Sequence, residues 1–301
     1  MYLNKPSSLI TLSLSFCTVF AVPATCLAAS PLSGLKPLLP APVAEAVASS
    51  DDYHLVWADE FETPGRPDQA KWSYEIGYIR NGEAQYYTDA PANARVEGGN
   101  LILEARKEKY TIEKAPGLNK ETAEYTSAAL ETRNKVSWTY GKIEVRAKLP
   151  KGTGLWPAIW MLGDNIDEAG WPKCGEIDIM ENVGFDPNNV FATIHTQAYN
   201  WMTSTQKTGN SYIQDPYGAF HVYSAEWTPE TIDLMLDGKV YNHVVNEHKT
   251  DDEWPFHRSQ FLILNVAIGG ALGGQHGIDD SVFPQQMIVD YVRVYQKSKY
   301  E

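Results

Sequence analysis

Glu176-Ile177-Asp178-Ile179-Met180-Glu181 sets three acids into an apolar run, and whether this run is helix or strand decides how the chain is read. In a helix, at about 100° per residue, Glu176 and Glu181 lie about 140° apart and Asp178 falls on a third bearing, so the acids share no face. In a strand side chains alternate, so Glu176 and Asp178 point one way while Ile177 and Ile179 point the other. Glu181, an odd number of residues from Glu176, rejoins the first two acids only if one extra residue within Ile179-Met180 bulges the strand. Carboxylates are costly to bury among apolar side chains, so their place here argues for chemistry. A solvated acidic edge is the bland alternative, and Ile177, Ile179 and Met180 speak against it. An EF-hand loop fits poorly, because its alternating ligands and its glycine at position six are missing.

Outward from this run the signals are almost all of β type. Ile143, Val145, Ala147 and Leu149 alternate with Lys142, Glu144, Arg146 and Lys148, the pattern of a half-buried strand. Residues 100–106, 190–197, 220–227, 261–267 and 287–295 read as further strands. Ile232-Asp233-Leu234-Met235-Leu236 and Lys239-Val240-Tyr241 flank Asp237-Gly238, which reads as a hairpin with an Asp-Gly turn. The turn-like residues 184–189 would pair strand 190–197 with the acidic strand. No long amphipathic helix and no repeat competes with these segments, so the expected fold is all-β, two antiparallel sheets in a sandwich or jelly roll.

With 301 residues and 43% hydrophobic composition, the chain is long enough for one large domain with a full core. The organisation expected is an export signal over residues 1–29, a Pro/Ala-rich linker over 30–52, the folded domain over 53–296 and a short tail over 297–301. Lys5, the apolar residues 9–24 and Ala28-Ala29 carry the signal. Pro23 and several Ser and Thr break that stretch, so no stable membrane span is expected after processing. The protein is expected to be secreted, or to reside in the periplasm or at the cell surface; a lipid anchor on Cys26 is the lesser alternative. Loss of Cys17 and Cys26 with the signal leaves Cys174 alone, which forbids an intramolecular disulfide. A net charge of −13 excludes nucleic acid as a partner and suits a neutral substrate. A monomer is expected.

Gly154-Leu155-Trp156-Pro157-Ala158-Ile159-Trp160-Met161-Leu162 followed by Gly175-Glu176-Ile177-Asp178-Ile179-Met180-Glu181 resembles the core signature of glycoside hydrolase family sixteen, in its laminarinase-like branch. Trp57-Ala58-Asp59-Glu60-Phe61, the run from Tyr140 to Pro150, and Val289-Asp290-Tyr291-Val292-Arg293-Val294-Tyr295 extend the likeness over most of residues 53–296. The resemblance implies a β-jelly-roll sandwich with a concave substrate cleft, and retaining hydrolysis of internal β-glycosidic bonds. By the same resemblance Glu176 is the nucleophile, Glu181 the acid/base and Asp178 an electrostatic helper between them. An ionised Glu176 would raise the pKa of Glu181, and forming the glycosyl ester would remove that charge so that Glu181 can then act as base. The substrate expected is a β-1,3 or mixed β-1,3/1,4 glucan. Agarase- or carrageenase-like galactan hydrolysis shares the bulged spacing, transglycosylation shares the covalent intermediate, and a non-catalytic β-glucan-binding protein is disfavoured because all three acids are present.

Around the acids, Trp156 and Trp160 are candidate platforms for sugar rings, with core packing as the alternative. Trp72, Trp138 and Trp227 read as core or loop anchors, Trp171 and Trp201 as weaker cleft candidates. Thr193, His195 and Gln197 share one strand face; His195 is either beside the carboxylates or a satisfied half-buried histidine. Gln197 and Asn182 are candidate hydroxyl partners, Asn81 resembles part of the family's glycone-side loop, and Arg106 is a candidate substrate contact. No cofactor is required for the chemistry. The resemblance implies a structural calcium on Glu60, Gly99 and Asp290, through oxygens of the kind this ion prefers. The scattered histidines and single mature cysteine indicate no transition-metal site, and Cys174 reads as a packed small residue rather than a nucleophile.

Overall fold

The alternation at residues 140–149 is realised in the strand Gly141–Lys148, whose residues are buried and half-buried in turn. It belongs to a computed structural model that describes residues 52–112 and 122–300; the expected export signal, the linker up to residue 51, Cys17 and Cys26 lie outside the described residues. Two sheets make up the domain. The first has seven strands in the order Lys207–Tyr212, Asp186–His195, Glu176–Val183, Leu155–Gly163, Gln260–Ile268, Ala129–Glu131 and Ser73–Tyr74, all paired antiparallel.

The second sheet has ten strands. Its path runs Lys239–Val245, Thr231–Leu236, His221–Trp227, Gly141–Lys148, Gln285–Lys297, Asn100–Thr111, Thr122–Ser127 and Tyr86–Tyr87, with Tyr53–Asp59 also on Gln285–Lys297 and Ala94–Glu97 on Asn100–Thr111. The Asp-Gly hairpin forms as read: Asp237 and Gly238 both take positive φ, 50° and 77°, the combination a tight hairpin turn needs. At the C-terminus the last strand runs to Lys297, one residue past the expected boundary, and the Tyr300 ring then packs on Tyr140 at 5.1 Å between centroids.

Between the sheets lies one continuous core. Ile159, Met161, Ile177, Leu262, Leu264 and Val266 of the seven-stranded sheet meet Ile143, Val145, Ala147, Leu101, Leu103, Val292 and Val294 of the ten-stranded one. Each such side chain contributes about 1.5–3 kcal/mol by leaving water, which is why alternation fixes the register. Trp72 and Trp227 are fully buried and Trp138 nearly so, as read from the sequence. Gln260–Ile268 departs from half-burial, being buried on both faces. Its second face carries Phe261 and Ile263, which cluster with Ala158 and Trp160 away from the core. That outer face of the seven-stranded sheet holds the acids. Among the described residues, no helix is long and apolar enough to cross a membrane.

Candidate active site

The acidic run is a bulged strand. Along its pairing with Leu155–Gly163, Asp178 faces Trp160 and Met180 faces Ile159, so Ile179 has no partner; along Asp186–His195 the same extra residue falls between Asp178 opposite Thr193 and Glu181 opposite Phe191. Ile177, Ile179 and Met180 all enter the core, fully buried. Glu181 thereby shares the outer face with Glu176 and Asp178. A bulge frees backbone groups from the ladder, and the Ile179 carbonyl is taken by the Tyr241 hydroxyl, which donates to it at 2.5 Å from the opposite sheet.

Each glutamate is held by an indole. Trp171 Nε1 donates to Glu176 Oε2 at 2.8 Å, and Trp156 Nε1 donates to Glu181 Oε1 at 2.8 Å. Between them Asp178 is only 3% exposed. His195, opposite Glu176 in the ladder, brings Nε2 to 3.5 Å from Asp178 Oδ2 and 3.8 Å from Glu176 Oε1. Its ring centroid is 5.8 Å from that of Trp171, which in turn lies 6.0 Å from Trp201. Trp201 is 54% exposed.

Burial raises all three acids, and their neighbours then divide the roles. Glu176 and Glu181 are each pushed up to about 7 by loss of water. Opposing this at Glu176 are the Trp171 bond, a bond from Asp178 and the charge of Arg80. At Glu181 only the Trp156 bond opposes it, while the charge of Glu176 pushes the same way as burial. Asp178 is raised well above its ordinary value, first by burial, then by the charges of Glu176 and Glu181, and by its hydrogen bond with Glu176. Glu176 is thus the favoured anion and Glu181 the favoured acid. Burial also lowers His195 to about 4, which leaves the imidazole neutral.

The other residues singled out from the sequence fall into two groups. Trp156 and His195 stand beside the acids. Trp160 is on the same face but 7% exposed: its Nε1 donates to Asn265 Oδ1 at 2.8 Å, and the Arg80 guanidinium covers its ring at 4.9 Å. Trp160 therefore floors the site and presents no open ring to a sugar. Asn81 is exposed with a positive φ of 56°, its amide on Glu83 and its carbonyl accepting from Ala271. Gln197 lies beyond the end of its strand and is exposed.

Three expectations meet different surroundings. Asn182 points to the hairpin, where its amide donates to the carbonyls of Asp186, Pro187 and Asn189; it clamps the turn instead of facing a substrate hydroxyl. Arg106 sits on the ten-stranded sheet, paired with Glu104 and Glu108, so its charge is already matched. Of the residues implied for calcium, Glu60 is held bidentately by Arg293 and Asp290 pairs with Arg146. A cation there would rely on backbone oxygens, and no chemical step draws on it. Burial pushes the Cys174 thiol up to about 12, which makes it a packed side chain and not a nucleophile.

Arg80 and Tyr241 were not visible in the sequence as site residues. Arg80 acts through a loop that folds it onto Trp160, and Tyr241 crosses from the other sheet; neither carries a local pattern. Trp171 had only its place in a polar loop to suggest it.

Two carboxyls on one face, one favoured as the anion and the other as the acid, are what cleavage of a glycosidic bond asks of a protein, so the fold and the site define a glycoside hydrolase. The chain belongs to glycosyl hydrolase family 16: residues 83–293 match the family described as Glycosyl hydrolases family 16. It is 51% identical over 254 residues to a beta-glucanase of Rhodothermus marinus, covering 81% of this chain and 85% of that one. The laminarinase structure from Rhodothermus marinus superposes with a TM-score of 0.75 at 48% identity, over 81% of this chain and 98% of that one. SCLam, a non-specific endo-beta-1,3(4)-glucanase whose mutant presents 1,3-beta-D-cellobiosyl-glucose at its active site, superposes with a TM-score of 0.76 at 49% identity, over 82% and 96% of the two chains.

Proposed function

We propose that the protein is a secreted endo-β-glucanase that hydrolyses internal β-1,3 bonds, and the β-1,3/1,4 bonds of mixed glucans, with retention of configuration. The observation that carries this reading is the strand bulge that sets Glu176 and Glu181 on one outer face, each held by an indole N–H. Glu176 attacks the anomeric carbon while Glu181 gives its proton to the glycosidic oxygen; the carbon–oxygen bond breaks, the leaving sugar departs as an alcohol, and a glycosyl ester forms on Glu176. That ester removes the negative charge beside Glu181, now a carboxylate, which takes a proton from water. The water attacks the same carbon, the ester bond breaks, and both acids return to their starting states. Asp178, donating to Glu176, steadies the carboxylate that leaves in the second step. Trp171 and Trp201 supply aromatic surface next to the acids, suited to the apolar face of a sugar.

Substrate choice is tested by a panel of laminarin, barley mixed-linkage glucan, xyloglucan, agarose and carrageenan, with products sized over time. Early release of mid-length oligosaccharides from the first two is expected. Cleavage of a galactan with no action on any glucan would overturn the substrate assignment, and elongation of added acceptor sugars in place of hydrolysis would make the protein a transglycosylase. Action outside the cytoplasm and as a monomer completes the proposal, checked by cell fractionation and by sedimentation of the purified protein. A structural calcium on the backbone oxygens near Asp290 would show as a rise in thermal midpoint with calcium concentration.

A further inference from the structure

The sequence indicated no transition-metal site, yet the fold assembles three ligand atoms of the right kind. His195 Nε2, Glu176 Oε1 and Asp178 Oδ2 come from two adjacent strands and lie within 4.8 Å of one another. Two of the spacings are 3.5 Å and 3.8 Å. Zinc holds nitrogen and carboxylate ligands at about 2.0–2.2 Å in a tetrahedron, which sets neighbouring donor atoms about 3.3–3.5 Å apart. The two spacings to His195 are therefore close to those a bound ion would set.

A second observation points inward to the same spot. Asp178 is 97% buried by its 3% exposure, and its Oδ2 has no hydrogen-bond partner. A buried carboxylate oxygen left without a partner is costly, and this one is aimed at His195 Nε2. The second oxygen of Glu176 is occupied by Trp171, which leaves Oε1 turned toward the same point. The fourth position opens to the outer face, where Glu176 keeps 16% of its side chain accessible.

We propose that Glu176, Asp178 and His195 form a binding site for zinc and for related divalent ions that favour imidazole, and that occupation of this site inhibits the enzyme. One imidazole and two carboxylates suit zinc, and copper still more by its higher intrinsic affinity. Magnesium and calcium ask for six or more oxygens and find too few here. A bound ion engages the nucleophile and fills the space where the sugar must approach, so inhibition competes with substrate. The ion takes no part in hydrolysis. Affinity is modest, because His195 Nδ1 has no acceptor, and losing such an outer partner weakens metal sites by about 10–100-fold. The site rests on geometry alone and stands whichever polysaccharide is cut.

Calorimetric titration of zinc chloride into the full chain, without substrate, tests the site directly. One ion per chain is expected, with affinity falling about 10-fold or more in both H195A and D178N, and no heat from magnesium chloride. D178N keeps the size of the side chain, so it decides the matter even if H195A fails to fold, as a thermal melt would show. In the wild type, laminari-oligosaccharide should raise the zinc concentration needed for half-inhibition. Unchanged zinc binding in folded D178N, or no binding up to about 1 mM, would overturn the proposal. Zinc binding that the oligosaccharide fails to weaken would overturn its inhibitory placement, unless that sugar is also not hydrolysed, in which case the substrate reading is what fails.

Discussion

The hydroxyl of Tyr241 donates to the carbonyl of Ile179 at 2.5 Å, and through this bond the ten-stranded sheet fixes the bulge that turns Glu181 outward. Ile179 is the residue without a partner on the neighbouring strand, so without Tyr241 its carbonyl would be an orphan in the core. In Y241F that loss should cost about 1–3 kcal/mol of folding stability, measured by denaturant unfolding. Turnover should fall more than substrate affinity, since the strand carrying Glu181 is what loosens. A variant as stable and as active as the wild type would remove Tyr241 from the account.

The bulge makes a less intuitive prediction for a deletion. Removing Ile179 leaves Glu-Ile-Asp-Met-Glu, whose plain alternation still points both glutamates outward. The variant loses one core side chain, at about 2–5 kcal/mol, but should stay within about 100-fold of wild-type kcat if the acids are displaced by no more than about 1 Å. A folded but wholly inactive deletion variant would show that the bulge does more than set the facing.

Trp171 bears on the acid side of the pH profile. Its N–H lowers the pKa of Glu176, so W171F should raise it. The acid limb of kcat/KM, which reports ionisation of the nucleophile in the free enzyme, should move up by roughly one pH unit, the equivalent of one charge-assisted hydrogen bond. The alkaline limb, set by Glu181, should hardly move. Equal shifts in both limbs would contradict the separate roles.

The raised acids also tie stability to pH. Glu176 and Glu181 stand at about 7 in the fold against an ordinary value of 4.5, so between these values the folded chain binds protons that the unfolded chain has released. Their contribution is fully present below about 4.5 and is lost as pH rises through about 7. The double variant E176Q/E181Q should therefore gain thermal midpoint over the wild type as pH increases across this window, the usual exchange of stability for activity. A constant difference between the two proteins from pH 4.5 to 8 would refute the raised values.

Much of this was legible in the chain because period and burial agree. The alternation from Lys142 to Lys148 became the strand Gly141–Lys148, and Asp237-Gly238 became the turn. Even the bulge could be read, since Ile179 and Met180 are adjacent apolar residues that both need the core. What could not be read was which long side chains already had partners. Arg106, Asn182 and Glu60 look available as letters, yet each is claimed by residues or carbonyls that only the fold brings near. Arg80, Trp171 and Tyr241 are the converse: each meets its target across a loop or a sheet, and no spacing in the sequence marks the meeting. Trp160 shows how face and exposure differ, for it lies on the face of the acids while the Arg80 guanidinium covers its ring.

The central claim is that Glu176 and Glu181 share one face in distinct roles, Glu176 as nucleophile. The most direct measurement is to treat the protein with a 2-deoxy-2-fluoro laminaribiosyl fluoride, which slows hydrolysis of the ester intermediate, and to locate the adduct by peptide mass spectrometry. A single glycosyl group on Glu176 is the result predicted. An adduct on Glu181, or turnover of the reagent with none on either glutamate and α-configured product, would contradict the account.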